Sequence, residues 1–293
     1  MPKELTRRAF LGRALAGAAS AAAGLGIADG FFIEPKRPIG RRVDIHLKRL
    51  PEEFHGFRIA QISDIHFGPY MGRAGLERVL SVARPFNPDL VVLTGDFVSH
   101  SLARPHGAEG ARNAEPCADV LVQWRTSPLA AVLGNHDHWN DPQIVSGALR
   151  ERHIRLLTNE AYPVERQGKR LWIAGVDDPM SHAADLERTL SGIPSSEATV
   201  LLAHEPDFAD HSARFFVDLQ LSGHSHGGQV RFPGVGALVL PRMATKYPLG
   251  LYQIHDMQLY TNAGVGVITP PVRFNCPPEV TLLTLLGGSA PRG

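Results

Sequence analysis

Five apolar runs in this chain end in residues that bind cations. RIAQIS (Arg58–Ser63) leads into Asp64 and His66, two positions apart. DLVVLTG (Asp89–Gly95) leads into Asp96, and AAVLGN (Ala130–Asn135) into Asn135, His136, Asp137 and His138. TVLLAH (Thr199–His204) ends at His204, and DLQLSG (Asp218–Gly223) opens onto His224 and His226, inside LSGHSHGGQV. Mixed carboxylate, imidazole and amide donors suit divalent or transition-metal ions such as Mn, Fe or Zn. Two such ions about 3.5–4 Å apart need one shared carboxylate and an edge left open to phosphate. Asp64, His66, Asp96, Asn135, His204, His224 and His226 are donors of the right types for such a pair. A single His-x-His is a weak signal, whereas five motifs at five run ends are a strong one. In an extended chain, residues i and i+2 share a side, so the spacing aims His224 and His226 at one place from a strand end.

Those runs are short, rich in Val, Ile and Leu, and bounded by Gly, Asp, Asn or His, as buried strands are. LWIAGV (Leu171–Val176) reads the same way, VDIHLKRL (Val43–Leu50) alternates, and later strands are expected near Leu251–Ile254, Gln258–Thr261 and Val280–Leu285. Helical spacing joins Leu76, Val79, Leu80 and Ala83; then Val120, Leu121 and Trp124; then Ile144, Ala148 and Leu149; a fourth helix is expected between Pro206 and Phe215. Strands alternating with helices predict an α/β layered fold. In such sheets a site forms beyond the carboxyl ends of the strands, where the five motifs would converge. Ser99–Ala114 reads as a long polar, lid-like loop.

The chain has 293 residues and a formal net charge of +1. Lys3, Arg7, Arg8 and Arg13 against Glu4 put +3 on the first 28 residues, leaving the remainder at −2. The basic character is therefore local, and no basic stripe with interleaved aromatics points to nucleic acid. Cys117 and Cys276 form no Cys-x-x-Cys and are expected to be separate buried thiols. Leu5–Ala28 has a basic start and a Gly/Ala-rich apolar stretch, the pattern of an export signal. Arg7-Arg8 followed by Ala9-Phe10-Leu11 resembles a twin-arginine signal. That route carries folded proteins, which suits a cofactor loaded before export; retention as an N-terminal anchor is the alternative.

The order D-x-H, G-D, G-N-H-D, H, G-H-x-H from Arg58 to about Gln229 resembles the calcineurin-like metallophosphoesterase superfamily. The ending NAGVGVITPPVRFNCPPEV and the twin-arginine start resemble its exported bacterial phosphodiesterase branch. The resemblance implies an α/β four-layer αββα sandwich, with two mixed sheets flanked by helices. It divides the chain into an export signal (1–28), a linker with an edge strand (29–56) and one metallophosphoesterase domain (57–293). Two divalent or transition-metal ions are implied: Asp64, His66 and His226 on one, Asn135, His204 and His224 on the other, Asp96 bridging. The implied reaction is attack on phosphorus by a water ionised between the cations, with His136 as the catalytic residue that steadies charge or protonates the leaving oxygen. Many relatives carry a second Asp where this chain has Ser99, which weakens the hold on His136. Asp137 is a weaker candidate for orienting His136 or a neighbour. His100 and His138 are expected to be solvated. Phe67, Tyr70, Met71 and Trp139 either rim a pocket or pack loops; Arg242 and Lys246 either meet phosphate or carry surface charge.

The expected substrate is a phosphodiester or pyrophosphate, such as a lipid or envelope precursor of the UDP-diacylglucosamine kind. The alternatives are a broad phosphomonoesterase or nucleotidase, or a non-catalytic metal-binding scaffold. Expected partners are the phosphorylated or lipid-linked substrate, the twin-arginine export machinery and a peripheral membrane contact, with no nucleic acid. The expected location is the periplasm or the outer face of the cytoplasmic membrane.

Overall fold

Runs of Val, Ile and Leu have no polar face, so they lie in sheets covered on both sides. The computed structural model describes residues 7–99 and 107–288 and shows two such sheets. The first has six strands in the order β1 (Ile39–Leu47), β14 (Glu279–Gly287), β2 (Phe57–Ile62), β3 (Leu90–Thr94), β4 (Leu129–Val132) and β5 (Arg155–Leu156). The second runs β12 (Gly250–Ile254), β13 (Met257–Thr261), β9 (Leu219–Ser222), β8 (Ala198–Leu202), β7 (Lys169–Gly175) and β6 (Glu160–Arg166). A separate hairpin pairs β10 (Arg231–Phe232) with β11 (Gly236–Ala237). Both sheets are mixed. β2 to β5 are parallel and β14 is antiparallel to β2. β7, β8, β9 and β13 are parallel, with β6 and β12 antiparallel at the edges.

Strand alternation sorts the apolar side chains into layers. On β3, Leu90 and Val92 face the second sheet, where they meet Val200, Leu202, Leu219 and Leu221. Val91 and Leu93 face the other way, onto α2 (Arg73–Ala83) and α4 (Ala114–Leu121). On β8, Leu201 turns outward to a third apolar layer that includes Leu186 of α7 (Leu186–Leu190) and Ala209 of α8 (Ala209–Ser212). Helix–sheet–sheet–helix is therefore the order of layers. The remaining helices are α1 (Arg7–Ala28), α3 (Ala108–Ala111), α5 (Asn135–Asn140) and α6 (Pro142–Glu151). Among the described residues no helix is long and apolar enough to cross a membrane.

Several sequence expectations shift. β6 was not anticipated: EAYPVER carries Pro163 and three charges, a pattern confined to sheet edges, where β6 lies. In α6 the core residue is Val145, while Ile144 is 39% exposed. The fourth helix reduces to a 3₁₀ turn at Pro206–Phe208 and the single turn of α8. Ser99–Ala114 is not one loop: α3 lies within it, with Gly110 and Ala111 buried, and 100–106 lie outside the described residues.

Candidate metal centre

The seven predicted donors lie in the turns that follow β2, β3, β4, β8 and β9, and none is more than 5% exposed. They do not sit on extended backbone. Asp64, His66, Asp96, His224 and His226 have φ of 52°, 48°, 56°, 65° and 50°. A non-glycine residue in this left-handed region costs about 1–2 kcal/mol, and such strain concentrates at functional sites. This corrects the alternation argument: β9 stops at Ser222, and the two histidines beyond it are turned toward different neighbours. The turns also touch closely. A Cβ on Gly223 would overlap Ser63 Oγ and Asp64 Oδ2, so the end of β9 reaches that of β2 only with glycine there.

Two donor groups result, each with its ligand atoms within 4.8 Å of one another. Asp64, His66, Asp96 and His226 form one, and Asp96, His204 and His224 the other. Asp96 belongs to both. Its Oδ2 lies 3.5 Å from His66 Nε2 and 3.2 Å from His204 Nε2. His226 Nε2 is 3.4 Å from Asp64 Oδ1 and 3.0 Å from His66 Nε2. Asn135 completes the predicted set, buried with an Oδ1 that accepts no hydrogen bond.

Backbone groups fix which ring nitrogen each imidazole presents. His204 Nδ1 lies 2.6 Å from Thr94 O, so Nδ1–H donates outward and Nε2 faces Asp96. His224 Nε2 donates to Arg242 O at 2.8 Å, leaving Nδ1 for the cluster. The His224 N–H in turn donates to Asp64 Oδ1 at 3.0 Å, and the His136 N–H to Asp96 Oδ1 at 2.9 Å.

The charges conflict without cations. Burial pushes the Asp64 carboxyl up to about 6, although His204 opposes it. Burial also works against an ionised Asp96, but the fields of His204, His136 and His66 hold its carboxyl well below the usual range. The same carboxylate, with Asp64, holds His204 well above the usual histidine range against the cost of burial. Burial and the His204 charge push His224 down to about 4; burial and His66 push His226 down too. Facing imidazole nitrogens and a buried amide oxygen without a donor cost energy until something positive lies between them. The residues present fit two cations.

His136 stands half-buried over this cluster, its ring 4.7 Å from that of His66 and 4.8 Å from that of Trp139. It opens onto a cavity of about 720 Å³ that reaches Asp96, Asn135, His224 and His226 at one end. Trp139, Met180, Val230, Phe232 and the 238–241 segment line the rest, so the cavity is polar at the metal end and apolar beyond.

Other predicted residues fall differently. Asp137 orients the neighbours of His136. It accepts from the N–H groups of Phe97 and Gly134 at 2.8 and 3.0 Å, tying two ligand turns together, and burial pushes its carboxyl up to about 7. His138 is not solvated: its Nε2 lies 2.7 Å from Asp177 Oδ1, a partner that sequence separation concealed. His100 lies outside the described residues. Phe67 and Met71 are buried and pair with each other's backbone, so they pack loops, whereas Trp139 lines the cavity. Arg242 also lines the cavity, while Lys246 is paired with Asp210 at 2.7 Å. Both cysteines are free and buried.

One supporting residue escaped the sequence reading. Arg273 is fully buried and, among the described residues, hydrogen-bonds to no carboxylate; it donates to the carbonyls of Ala263, Gly264, Gly266 and Cys276 at 2.6–3.1 Å. The turn it grips donates from Val265 N to Ser63 O and from Gly266 N to Asp64 O, at 2.9 and 2.7 Å. Its only sequence signal was its place in the terminal VRFNCPP string.

With the site described, comparison with known proteins is direct. The family model for calcineurin-like phosphoesterases matches residues 57–228. The uncharacterized metallophosphoesterase YkuE of Bacillus subtilis is 32% identical over 298 residues, covering 97% of this chain and 98% of that protein. Phosphodiesterase YaeI of Escherichia coli is 29% identical, over 78% of this chain and 82% of that one. A Danio rerio transmembrane protein with metallophosphoesterase domain is 32% identical over 83% of this chain, which spans only 56% of its length. Among solved structures, the NAD nucleotidase of Haemophilus influenzae aligns with a TM-score of 0.47 at 14% identity, over 71% of this chain and 45% of that one. The chain belongs to the calcineurin-like phosphoesterases, metal-dependent hydrolases of phosphoric esters.

Proposed function

We propose that the chain is a dinuclear phosphodiesterase. Asp64, His66 and His226 hold one cation, Asn135, His204 and His224 the other, and Asp96 joins them. The observation that carries this reading is the sharing of Asp96 by two donor groups, each with its ligand atoms within 4.8 Å of one another. Bound there, two cations supply an ionised water near neutral pH and positive charge for the phosphoryl oxygens. The chain's own residues do the rest. The turns after β2 and β9 orient one pair of imidazoles, and Thr94 O and Arg242 O fix the ring nitrogens of the other. His136, between cluster and cavity, is placed to donate to the leaving oxygen. Ser99 supplies it no charge, which favours esters with good leaving groups. The name of the E. coli relative supports a diester over a monoester, and the apolar wall of the cavity supports a substrate with a hydrocarbon portion, as in a lipid-linked envelope precursor. A broad phosphomonoesterase is the competing reading.

The purified chain should carry about two metal ions per molecule and hydrolyse bis-p-nitrophenyl phosphate faster than p-nitrophenyl phosphate. Asp96→Asn should lower kcat at least about 100-fold. Full turnover by that variant would remove the site, and a preference for the monoester would favour the competing reading. Export by the twin-arginine route, to the periplasm or the outer face of the cytoplasmic membrane, goes with this reading because a metal centre built from distant turns suits a protein exported folded. Replacing Arg7-Arg8 by Lys-Lys should leave the protein in the cytoplasmic fraction; unchanged export would end that part of the proposal.

A further inference from the structure

Beside the cavity the chain turns back on itself in a hairpin with an apolar outside. Phe232 is 43% exposed, Val235 and Leu238 69%, and Val239 79%. Exposed apolar side chains scattered singly mean little, but a run this dense at the mouth of a site marks a contact surface. The hairpin pairs Arg231 with Ala237 and Phe232 with Gly236, is tied at its base to Phe274, and among the described residues pairs with neither larger sheet. Its apolar surface continues. A groove of about 350 Å³, lined by Ile27, Phe31, Phe232, Val272 and Phe274, joins it to the end of α1. There Phe32 and Ile33 are also exposed, at 69% and 42%. Val230, Phe232 and Val272 line both this groove and the metal-site cavity, so the two depressions share a wall.

The charge on this face is mainly basic, although Lys246 is paired with Asp210 and Asp29 lies between Ile27 and Phe31. No Asp or Glu occurs between Asp218 and Asp256, a segment that carries Arg231, Arg242 and Lys246. Lys36 and Arg37 follow the exposed Phe31–Ile33, while the Glu34 carboxylate turns inward to accept from Asn275 N and Cys276 N. Apolar side chains flanked by Arg231, Arg242, Lys36 and Arg37 fit the interface of an anionic bilayer. A protein partner of the same size would need polar complementarity that the hairpin, PGVGALVLP from Pro233 to Pro241, does not offer.

We propose that this face docks on a bilayer leaflet containing anionic lipids. Val235, Leu238 and Val239 sink among the acyl chains, the arginines meet the headgroups, and the cavity mouth turns toward the membrane. Docking does not depend on the catalytic assignment, because the hairpin contributes no metal donor.

The test is sedimentation of the full chain with vesicles of phosphatidylcholine alone and of phosphatidylcholine with phosphatidylglycerol. The chain should sediment with the anionic vesicles and only weakly with the neutral ones. Val235→Glu should lower the bound fraction roughly tenfold and leave turnover of soluble bis-p-nitrophenyl phosphate unchanged, since Val235 lies outside the cavity lining. Asp96→Asn should still bind, which separates a failure of docking from a failure of the catalytic reading. A second measurement does not rely on lost binding: the fluorescence of Val235→Trp should be quenched by brominated acyl chains beyond the wild-type level. Absence of binding to anionic vesicles, undiminished binding by Val235→Glu, or no added quenching would overturn the proposal. So would a lipid-free dimer that Val235→Glu disperses, since it would assign the face to a second copy of the chain.

Discussion

Asp137 and His138 show how residues next to a ligand motif hold it together without joining it. Asp137 fastens the turn after β3 to the start of α5, and His138 fastens α5 to the segment after β7 through Asp177. The second contact titrates. Burial opposes a charged His138, but its hydrogen bond to Asp177 raises its pKa above the usual value; the same bond holds the Asp177 carboxyl below its own, again against burial. A raised histidine contributes stability that is full below about pH 6.5 and is lost as pH rises through the folded value. A depressed aspartate contributes stability that is lost as pH falls through its folded value, below about pH 4. The pair therefore works best between those limits. Replacing His138 by Gln keeps a hydrogen-bond donor and removes the charge. The gap in Tm between wild type and variant should be widest near pH 5–6, equivalent to about 1 kcal/mol, and narrow by about pH 9. An equal gap across that range would mean the contact carries no charge. At this scale the donors were legible because their types and order are restrictive. The partners were not: Asp177 is 39 positions from His138, and nothing local in either segment records the pairing.

Elements set where the donors meet. Parallel strands bring their carboxyl ends to one edge of each sheet, and the two edges meet where Gly223 passes Ser63. The strand cores were readable as apolar runs, which is why β2, β3, β4, β8 and β9 fall within three residues of expectation. The edge strands β5 and β6, the hairpin and the turns were not, since half-exposed segments lack a clean period. The loop 263–266 is of that kind, and its order depends on one residue. Arg273 makes five hydrogen bonds to four carbonyls, so it acts as a fully buried peg for that loop. Arg273→Met should destabilise the fold by several kcal/mol, since each buried carbonyl left without a donor costs about 1–3 kcal/mol. Arg273→Lys should recover little, because an ammonium cannot span four carbonyls. Because Gly266 N holds Asp64 O, metal content should fall along with stability in both variants. Unaltered thermal midpoint and metal content would show the loop to be self-supporting.

On the scale of the whole chain, the centre couples distant sequence. His66 and His226 are 160 positions apart, and so are Asp64 and His224. The donors come from both sheets, so an unfolded chain offers no comparable site. Cations that bind only the folded state stabilise it by mass action: about 2.7 kcal/mol for each site at a free concentration of 100 Kd. For a domain of this size 1 kcal/mol moves Tm by about 2–4 °C. Two occupied sites should then raise Tm by roughly 10–20 °C. Chelation with EDTA should remove that increment, and re-addition of Mn or Zn should restore it. The relief is larger than for a surface site, because without cations the chain keeps Asp64, Asp96 and four imidazoles crowded in a dry interior. If chelated and metal-loaded protein melted at the same temperature, the strand ends would meet for some reason other than holding cations.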